Sequence, residues 1–303
     1  MMRKAILAAG RSEALGRFVQ RHGMRLGAGR FVAGTSLEDC VRVLRRLNDD
    51  GLHANTTLLG ESVTDAAGAR AIRDEYVQIL RRLAEEKLRC NVALKLTHLG
   101  LLIDEELAYE NVKAVVEEAA RLGSFVRIDM EDSPWVDATL RAYRRLRAES
   151  LDAVGTVLQA YLYRSERDLE ELVPLAPNLR IVKGAYLEPP SVAFPDKRDV
   201  DRAYVRLLET SLARGGYTAI ATHDEAIIRH AIAFTERHAI ARDRFEFQML
   251  FGIRPQRQRQ LVRAGYKVLV ATPFGPDWYP YLMRRLAERP ANLLFFVRSL
   301  LKK

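Results

Sequence analysis

Residues 153–186 read AVGTVLQAYLYRSERDLEELVPLAPNLRIVKGAY, and this stretch decides the fold. An apolar, strand-like run (153–160) gives way to a charged helical run (165–172), and a second strand-like run (179–184) follows a short turn. Strand, helix and strand joined this closely make a parallel pair with the helix as crossover.

The same unit recurs along the chain. Strand-like runs fall at 53–59, 91–96, 124–130, 153–160, 179–184, 217–222, 245–249 and 267–272. Helical runs at 64–86, 104–122, 134–149, 165–172, 199–214, 224–238 and 255–264 separate them, and a helix near 278–288 and another at the C-terminus follow the eighth. Eight β–α units with no break in composition predict a closed TIM-type (β/α)8 barrel over 51–303. A doubly wound open sheet is the alternative, but no GxGxxG follows an early strand, and the Gly-rich 27–34 follows no strand. The three prolines of 187–198 mark a functional loop after strand five.

Residues 1–50 read as an N-terminal helical segment. Ser36 with Asp39 three residues on is a cap signal, and Gly51 ends that helix. The first 30 residues are Arg-rich and acid-poor in the manner of a transit peptide, and the expectation preferred is a helical segment packed on the barrel.

Apolar residues make up 48% of 303, which excludes a disordered chain. Cys40 and Cys90 lie far apart and are expected as reduced thiols. The histidines have no zinc spacing, His230 and His238 being eight apart, so no metal is expected. The net charge of +9 would suit nucleic acid, an anionic membrane face or acidic substrates. No nucleic-acid motif accompanies it, and arginines such as those in 141–147 lie on amphipathic helices, so solvated helix faces explain the charge. No apolar run reaches the roughly 18 residues of a membrane span.

In a barrel of this kind chemistry sits at the carboxyl ends of the strands. Here those ends carry Glu61; Lys95, Thr97 and His98; Asp129, Glu131 and Asp132; Gln159; Lys183 and Gly184; Thr222, His223 and Asp224; and Gln248. Lys95 sits in the apolar run VALKLTHL, where an unpaired lysine is costly. It reads as an anion or acid partner, or as one half of a structural pair with Asp129. Thr222–His223 before a helix reads equally as a cap or as a phosphate contact. Arg180 and Lys183 in RIVKGAY suit a redox cofactor, since cations beside a flavin stabilise its reduced, anionic ring, and Gly184 would let a ligand approach the backbone. Arg284 and Arg285 in WYPYLMRRLAER, about 100° apart on a helix, read either as part of a solvated surface helix, against which Trp278, Tyr279 and Tyr281 count, or as a two-guanidinium clamp for a carboxylate that Glu288 can orient.

LKLTHLGL, RIDMEDSP, QAYLYRS, RIVKGAY, ATHD, FEFQML and WYPYLMRRLAERPAN, in this order over roughly residues 30–301, resemble the bacterial monofunctional proline dehydrogenases. The resemblance implies a distorted (β/α)8 barrel with extra N-terminal helices and noncovalent FAD. It implies that Lys95, Arg284 and Arg285 bind the substrate carboxylate, and that Asp129 and Arg180 are catalytic, Arg180 near flavin N5. It implies FAD contacts from Met130, Gln159, Arg180, Lys183, Gly184, Ala185, Thr222 and His223, with Gln248 and Leu250 as weaker contacts, and gating by Glu61 with Glu288. The reaction implied is hydride transfer from proline to FAD, giving 1-pyrroline-5-carboxylate, the first step of proline catabolism. Electrons then pass to a membrane quinone, so the implied location is cytoplasmic and peripheral on the inner membrane, with a pyrroline-5-carboxylate dehydrogenase as a partner and no nucleic acid.

One motif departs. The family usually carries Tyr-x-Pro at the end of strand eight, where this chain has Ala271–Thr272–Pro273. The missing ring leaves space beside the pocket and suggests specificity broadened toward hydroxyproline. Two other classes compete: a flavin-free lyase or aldolase with Lys95 as Schiff-base nucleophile, and a nucleic-acid or membrane-surface binder resting on charge alone.

Overall fold

The computed structural model describes residues 28–60 and 63–288, the side chains of 284–288 excepted. Within it lie eight strands: β1 (His53–Leu58), β2 (Cys90–Leu94), β3 (Val126–Ile128), β4 (Val154–Gln159), β5 (Asn178–Val182), β6 (Tyr217–Ala221), β7 (Phe245–Leu250) and β8 (Val268–Phe274). They pair in parallel in chain order, and β8 returns to β1 to close the barrel. The helices are α1 (Leu37–Asp49), α2 (Ala66–Glu85), α3 (Glu105–Arg121), α4 (Val136–Ala148), α5 (Ser165–Leu172), α6 (Lys197–Arg214), α7 (Glu225–Arg237), α8 (Pro255–Arg263) and α9 (Trp278–Glu288). The closed (β/α)8 barrel expected from the alternation is the fold observed.

Local chemistry starts and stops these helices. At α1 the Ser36 hydroxyl accepts the Asp39 N–H (3.2 Å) while the Asp39 carboxylate accepts the Ser36 N–H (3.3 Å). Gly51, at φ 79°, then turns the chain into β1. Asp65, Asp104, Asp196 and Asp224 cap α2, α3, α6 and α7 through their carboxylates. Such caps are each worth about 1 kcal/mol.

Alternation across the strands sets the barrel's interior. The register pairs Arg127 with Ala93 and Gly155, Arg180 with Val157 and Ala219, and Gln248 with Ala221 and Leu269. At these levels β3, β5 and β7 send long polar side chains inward, and their register partners on the neighbouring strands are small or apolar and make room for them. Gly155 is the tightest case: a methyl group there would overlap Arg127 Nη1 and the Asn178 carbonyl.

Ion pairs join the helices of the outer layer. Arg81–Glu118, Arg141–Glu105, Arg145–Glu106, Arg206–Glu166 and Arg214–Glu170 join neighbouring helices across the surface. They are solvent-exposed pairs, and each adds only about 0–1 kcal/mol. Cys40 and Cys90 are free, and burial pushes the Cys40 thiol up to about 12.

Helix α1 lies against β1 and β8, with Cys40 Sγ 3.2 Å from Thr56 Oγ1, and in the segment just before it the Ala33 N–H donates to the Pro273 carbonyl at 2.8 Å. It covers the seam where the barrel closes. Helix α9 instead joins a separate cluster, in which Trp278, Tyr279, Leu282 and Met283 pack with Ala28, Phe31 and Val32. Leu59 and Ile253, just past the ends of β1 and β7, flank this cluster, which puts α9 at the carboxyl rim. Residues 1–27, expected to be helical, lie outside the described residues. No helix among the described residues is long and apolar enough to cross a membrane.

Candidate active site

Arg180 organises the upper barrel. Its guanidinium leaves β5 and hydrogen-bonds to three other odd strands: Nη1 to Asp129 Oδ1 (2.6 Å), Nη2 to Asn55 Oδ1 (2.9 Å) and Nε to Gln248 Oε1 (2.6 Å). Strands β4 and β6 flank β5, so these bonds run through the interior. Arg180 and Asp129 retain 11% and 25% of their side-chain exposure, so the pair stands at the mouth rather than in the sealed core.

A second cation lies below. Arg127 donates through Nη1 to the carbonyls of Thr156 (2.9 Å) and Asn178 (2.7 Å), and through Nη2 to Asn178 Oδ1. Burial, and then Arg180 beside it, bring its pKa down to about 9, so it remains a cation at neutral pH. Glu246 supplies the balancing charge. Burial pushes its carboxyl up, but Lys267 and hydrogen bonds from Gln248, Lys267 and Tyr217 outweigh that and hold it below the usual range.

Lys95 and Asp129 stand side by side at the rim. Leu94 and Ile128 are register partners, and each of the two residues follows its strand directly. The Asp129 carboxylate is drawn onto Arg180, which was not the partner weighed for it in the sequence. Lys95, half-buried, acts on Glu131. Burial raises the Glu131 carboxyl, while hydrogen bonding from Thr97 and the Lys95 charge oppose the rise. Glu131 accepts both the Thr97 N–H (3.1 Å) and hydroxyl (2.6 Å), locking the ends of β2 and β3 together.

The remaining sequence candidates line the rest of the rim. Met130 and Gln159 are buried, and Gln159 Nε2 donates to the Glu131 carbonyl at 2.8 Å. Lys183 binds Asp201 and Asp224. Gly184, at φ 117°, faces the Tyr161 ring so closely that a methyl group would collide with it. Ala185 is exposed. The Thr222 hydroxyl accepts the Asp224 N–H at 3.1 Å, while the cap of the helix itself is Asp224, and His223 Nε2 accepts the Leu250 N–H at 2.9 Å. Gln248, expected as a cofactor contact, has its side-chain amide committed inside the barrel to Arg180 and Glu246. Arg284, Arg285 and Glu288 lie on α9, at the same rim, with side chains outside the described residues; Glu61 also lies outside them. Ala271 is half-buried between its register partners Asn55 and Leu250.

Asn55, Arg127 and Glu246 went unnoticed in the sequence. The signal was present: Asn55 and Glu246 are polar residues on the inward parity of strands, Glu246 two positions from Gln248. Parity says which face a residue occupies but not what stands across the barrel from it.

A closed parallel barrel with a cation–carboxylate pair and a lysine at its carboxyl mouth is an enzyme scaffold. The proline dehydrogenase family model matches residues 40–298. Proline dehydrogenase 1 of Bacillus subtilis strain 168 is 43% identical over 303 residues, covering all of both chains. The proline dehydrogenase of Deinococcus radiodurans is 42% identical over 306 residues, covering 100% of this chain and 98% of its own. Among solved structures, proline utilization A from Bdellovibrio bacteriovorus, inactivated by N-propargylglycine, superposes with a TM-score of 0.82 at 22% identity, over 90% of this chain and 34% of that one. The chain belongs to the proline dehydrogenase family and is an oxidoreductase of that class.

Proposed function

We propose that this chain oxidises L-proline to 1-pyrroline-5-carboxylate with noncovalent FAD at the carboxyl mouth of the barrel. The observation that carries this reading is the Arg180–Asp129 pair beside Lys95 at that mouth. What supports a flavin is the Arg180 cation at the mouth, together with Met130, Gln159, Lys183, Gly184, Ala185, Thr222, His223 and Leu250 at or just past the ends of β3 to β7. Bound there, the flavin supplies the two-electron acceptor for a hydride.

The residues of the chain do the rest. Lys95, with Arg284 and Arg285 from α9, pins the carboxylate of proline, for which guanidinium pairs are well shaped. Fixing the carboxylate orients the ring carbon beside nitrogen, since hydride transfer demands close, aligned contact. That carbon loses a hydride and the nitrogen a proton, and the C–N bond becomes C=N. Asp129 sets the proton balance next to the amine, and Glu61 with Glu288 gates the arginine pair. Electrons leave to a membrane quinone from a cytoplasmic enzyme resting on the inner membrane, and the product passes to a pyrroline-5-carboxylate dehydrogenase. Ala271, in place of the family's usual tyrosine, widens the pocket toward hydroxyproline.

The visible spectrum of the purified protein tests this reading. Flavin bands that bleach on adding proline are expected. A colourless protein that borohydride links covalently to a carbonyl substrate at Lys95 would replace the reading with Schiff-base chemistry.

A further inference from the structure

We propose that Glu246, acting through Gln248, is a positioning residue that fixes how the Arg180 guanidinium faces the reaction chamber. The inference rests on the flavin reading of the mouth for its functional consequence, and on the geometry alone for the relay itself.

The argument begins with the symmetry of an amide. A glutamine side chain can present oxygen or NH2 to a neighbour with little change of shape. Gln248 presents Oε1 to Arg180 Nε at 2.6 Å. The reversed amide would set NH2 against a guanidinium N–H, two donors face to face. What selects the productive orientation is the other end: Gln248 Nε2 donates to Glu246 Oε1 at 2.6 Å. An ionised carboxylate only accepts, so it demands the NH2 of Gln248 and thereby turns the oxygen toward Arg180.

Glu246 is built to stay ionised. Its second oxygen accepts the Tyr217 hydroxyl at 2.9 Å and lies 2.9 Å from the Lys267 ammonium, while the side chain is 3% exposed. The Nη2 side of Arg180 is held in a parallel way: Asn55 accepts from it and passes its own NH2 to Asn91 Oδ1. Two amide relays and the Asp129 carboxylate thus grip the guanidinium, and only the Gln248 relay ends on a buried charge. Glu246 lies two residues below Gln248 on β7, about 7 Å further from the mouth, so it acts through its neighbour and not on the substrate.

Three variants separate this role from a plain counter-charge to Arg127 and Arg180. Glu246→Gln removes the charge and frees the amide to flip. Gln248→Met keeps every charge but cuts the relay. The exchange Glu246→Gln with Gln248→Glu keeps net charge and restores donor–acceptor order, since residue 248 again accepts from Arg180 and residue 246 again faces Lys267 and Tyr217. Two measurements are made on folded protein: hydrogen exchange of the Arg180 Nε–H by NMR, and kcat with the reduction potential of the bound flavin.

The Nε–H is expected to be protected in the wild type and the exchange variant and unprotected in both single variants. Each single variant should lose about tenfold in kcat with KM moved less than about twofold, the pattern of a misaimed group rather than lost binding. The flavin potential should shift in the same direction in both; the exchange variant, which moves the carboxylate onto Arg180, is read by Nε–H protection alone. Full kcat and an unchanged potential in Gln248→Met overturn the inference, whether or not Glu246→Gln folds. So does an Nε–H that stays protected in the single variants. A protein with no flavin would defeat the reading of the mouth, while the exchange measurement would still decide the relay.

Discussion

Arg180 Nη1 lies 2.6 Å from Asp129 Oδ1, so a side chain rooted in β5 is tied to a carboxylate at the end of β3, past the whole width of β4. The pair spans two strands, and its members come from positions 51 apart in the chain. Their relative placement therefore depends on barrel register, and a disturbance anywhere in the upper interior reaches the site.

Asp129→Asn keeps an acceptor for Arg180 but removes the charge. Breaking a fully buried ion pair by losing one partner costs about 3–5 kcal/mol. The partial exposure of this pair and the acceptors Asn55 and Gln248 reduce that, so the loss of stability should be about 1 kcal/mol. On the role proposed for Asp129 beside the amine, activity should suffer more, by roughly a hundredfold in kcat/KM. Urea titration and steady-state kinetics check the two effects. A variant with full activity would remove Asp129 from the site.

Gly155→Ala should destabilise the barrel without touching the mouth. The added methyl meets Arg127 Nη1 and the Asn178 carbonyl, which are themselves hydrogen-bonded to each other. Overpacking of this kind costs about 1–3 kcal/mol. The denaturation midpoint should fall, while KM for proline in the folded fraction stays at the wild-type value.

The surface carboxylate Glu118 gives an acid-range prediction. Hydrogen bonds from Arg121 and Arg81 hold its pKa at about 2, below an ordinary value of 4.5. A depressed acid binds fewer protons folded than unfolded, so its stabilisation is present above 4.5 and fades as pH falls toward 2. Glu118→Gln should therefore be less stable than wild type by about 0.5–1 kcal/mol at neutral pH, and the gap should close near pH 2. A gap constant across pH would mean that packing, not charge, links α2 to α3 here.

Ala271→Tyr tests the pocket's breadth. If the small residue on β8 admits a ring hydroxyl, the tyrosine should lower kcat/KM for hydroxyproline relative to proline by about tenfold or more, the scale expected when added bulk meets a substrate group. An unchanged ratio of the two specificity constants would dismiss Ala271 as the determinant.

The barrel was legible because each strand and helix announces itself within about ten residues of sequence. Boundaries strayed where pairing overrode local preference. The eighth strand, expected over 267–272, runs to Phe274, because Pro273 and Phe274 still pair with Thr57 and Leu58 of β1. Pro273 cannot donate, but its carbonyl accepts from Ala33, so the proline does not end the strand. The third strand, expected over 124–130, shrinks to Val126–Ile128 as a formal element. Even so, the Phe125 carbonyl and the Asp129 N–H still bond to β2 on either side of it. At the site, strand-end position places Lys95 and Asp129 at the rim, where each directly follows its strand, whereas Arg180 lies within β5 and reaches the mouth through its long side chain. What strand-end position cannot provide is distance across the barrel, so Gln248 reads from the sequence as a weaker cofactor contact and its bonds to Arg180 and Glu246, like Asn55 itself, are visible only in the fold.

The helix that covers the β8–β1 seam has a kinetic consequence. Helix α1 precedes the first strand, yet it packs on the eighth as well as the first, and the eighth is made more than two hundred residues later as the chain leaves the ribosome. Until that strand arrives, α1 has only a partial berth, and the cost of closing so long a loop falls on the last step of assembly. Barrel completion should accordingly be the slow phase of refolding, with the early strands waiting on the late one.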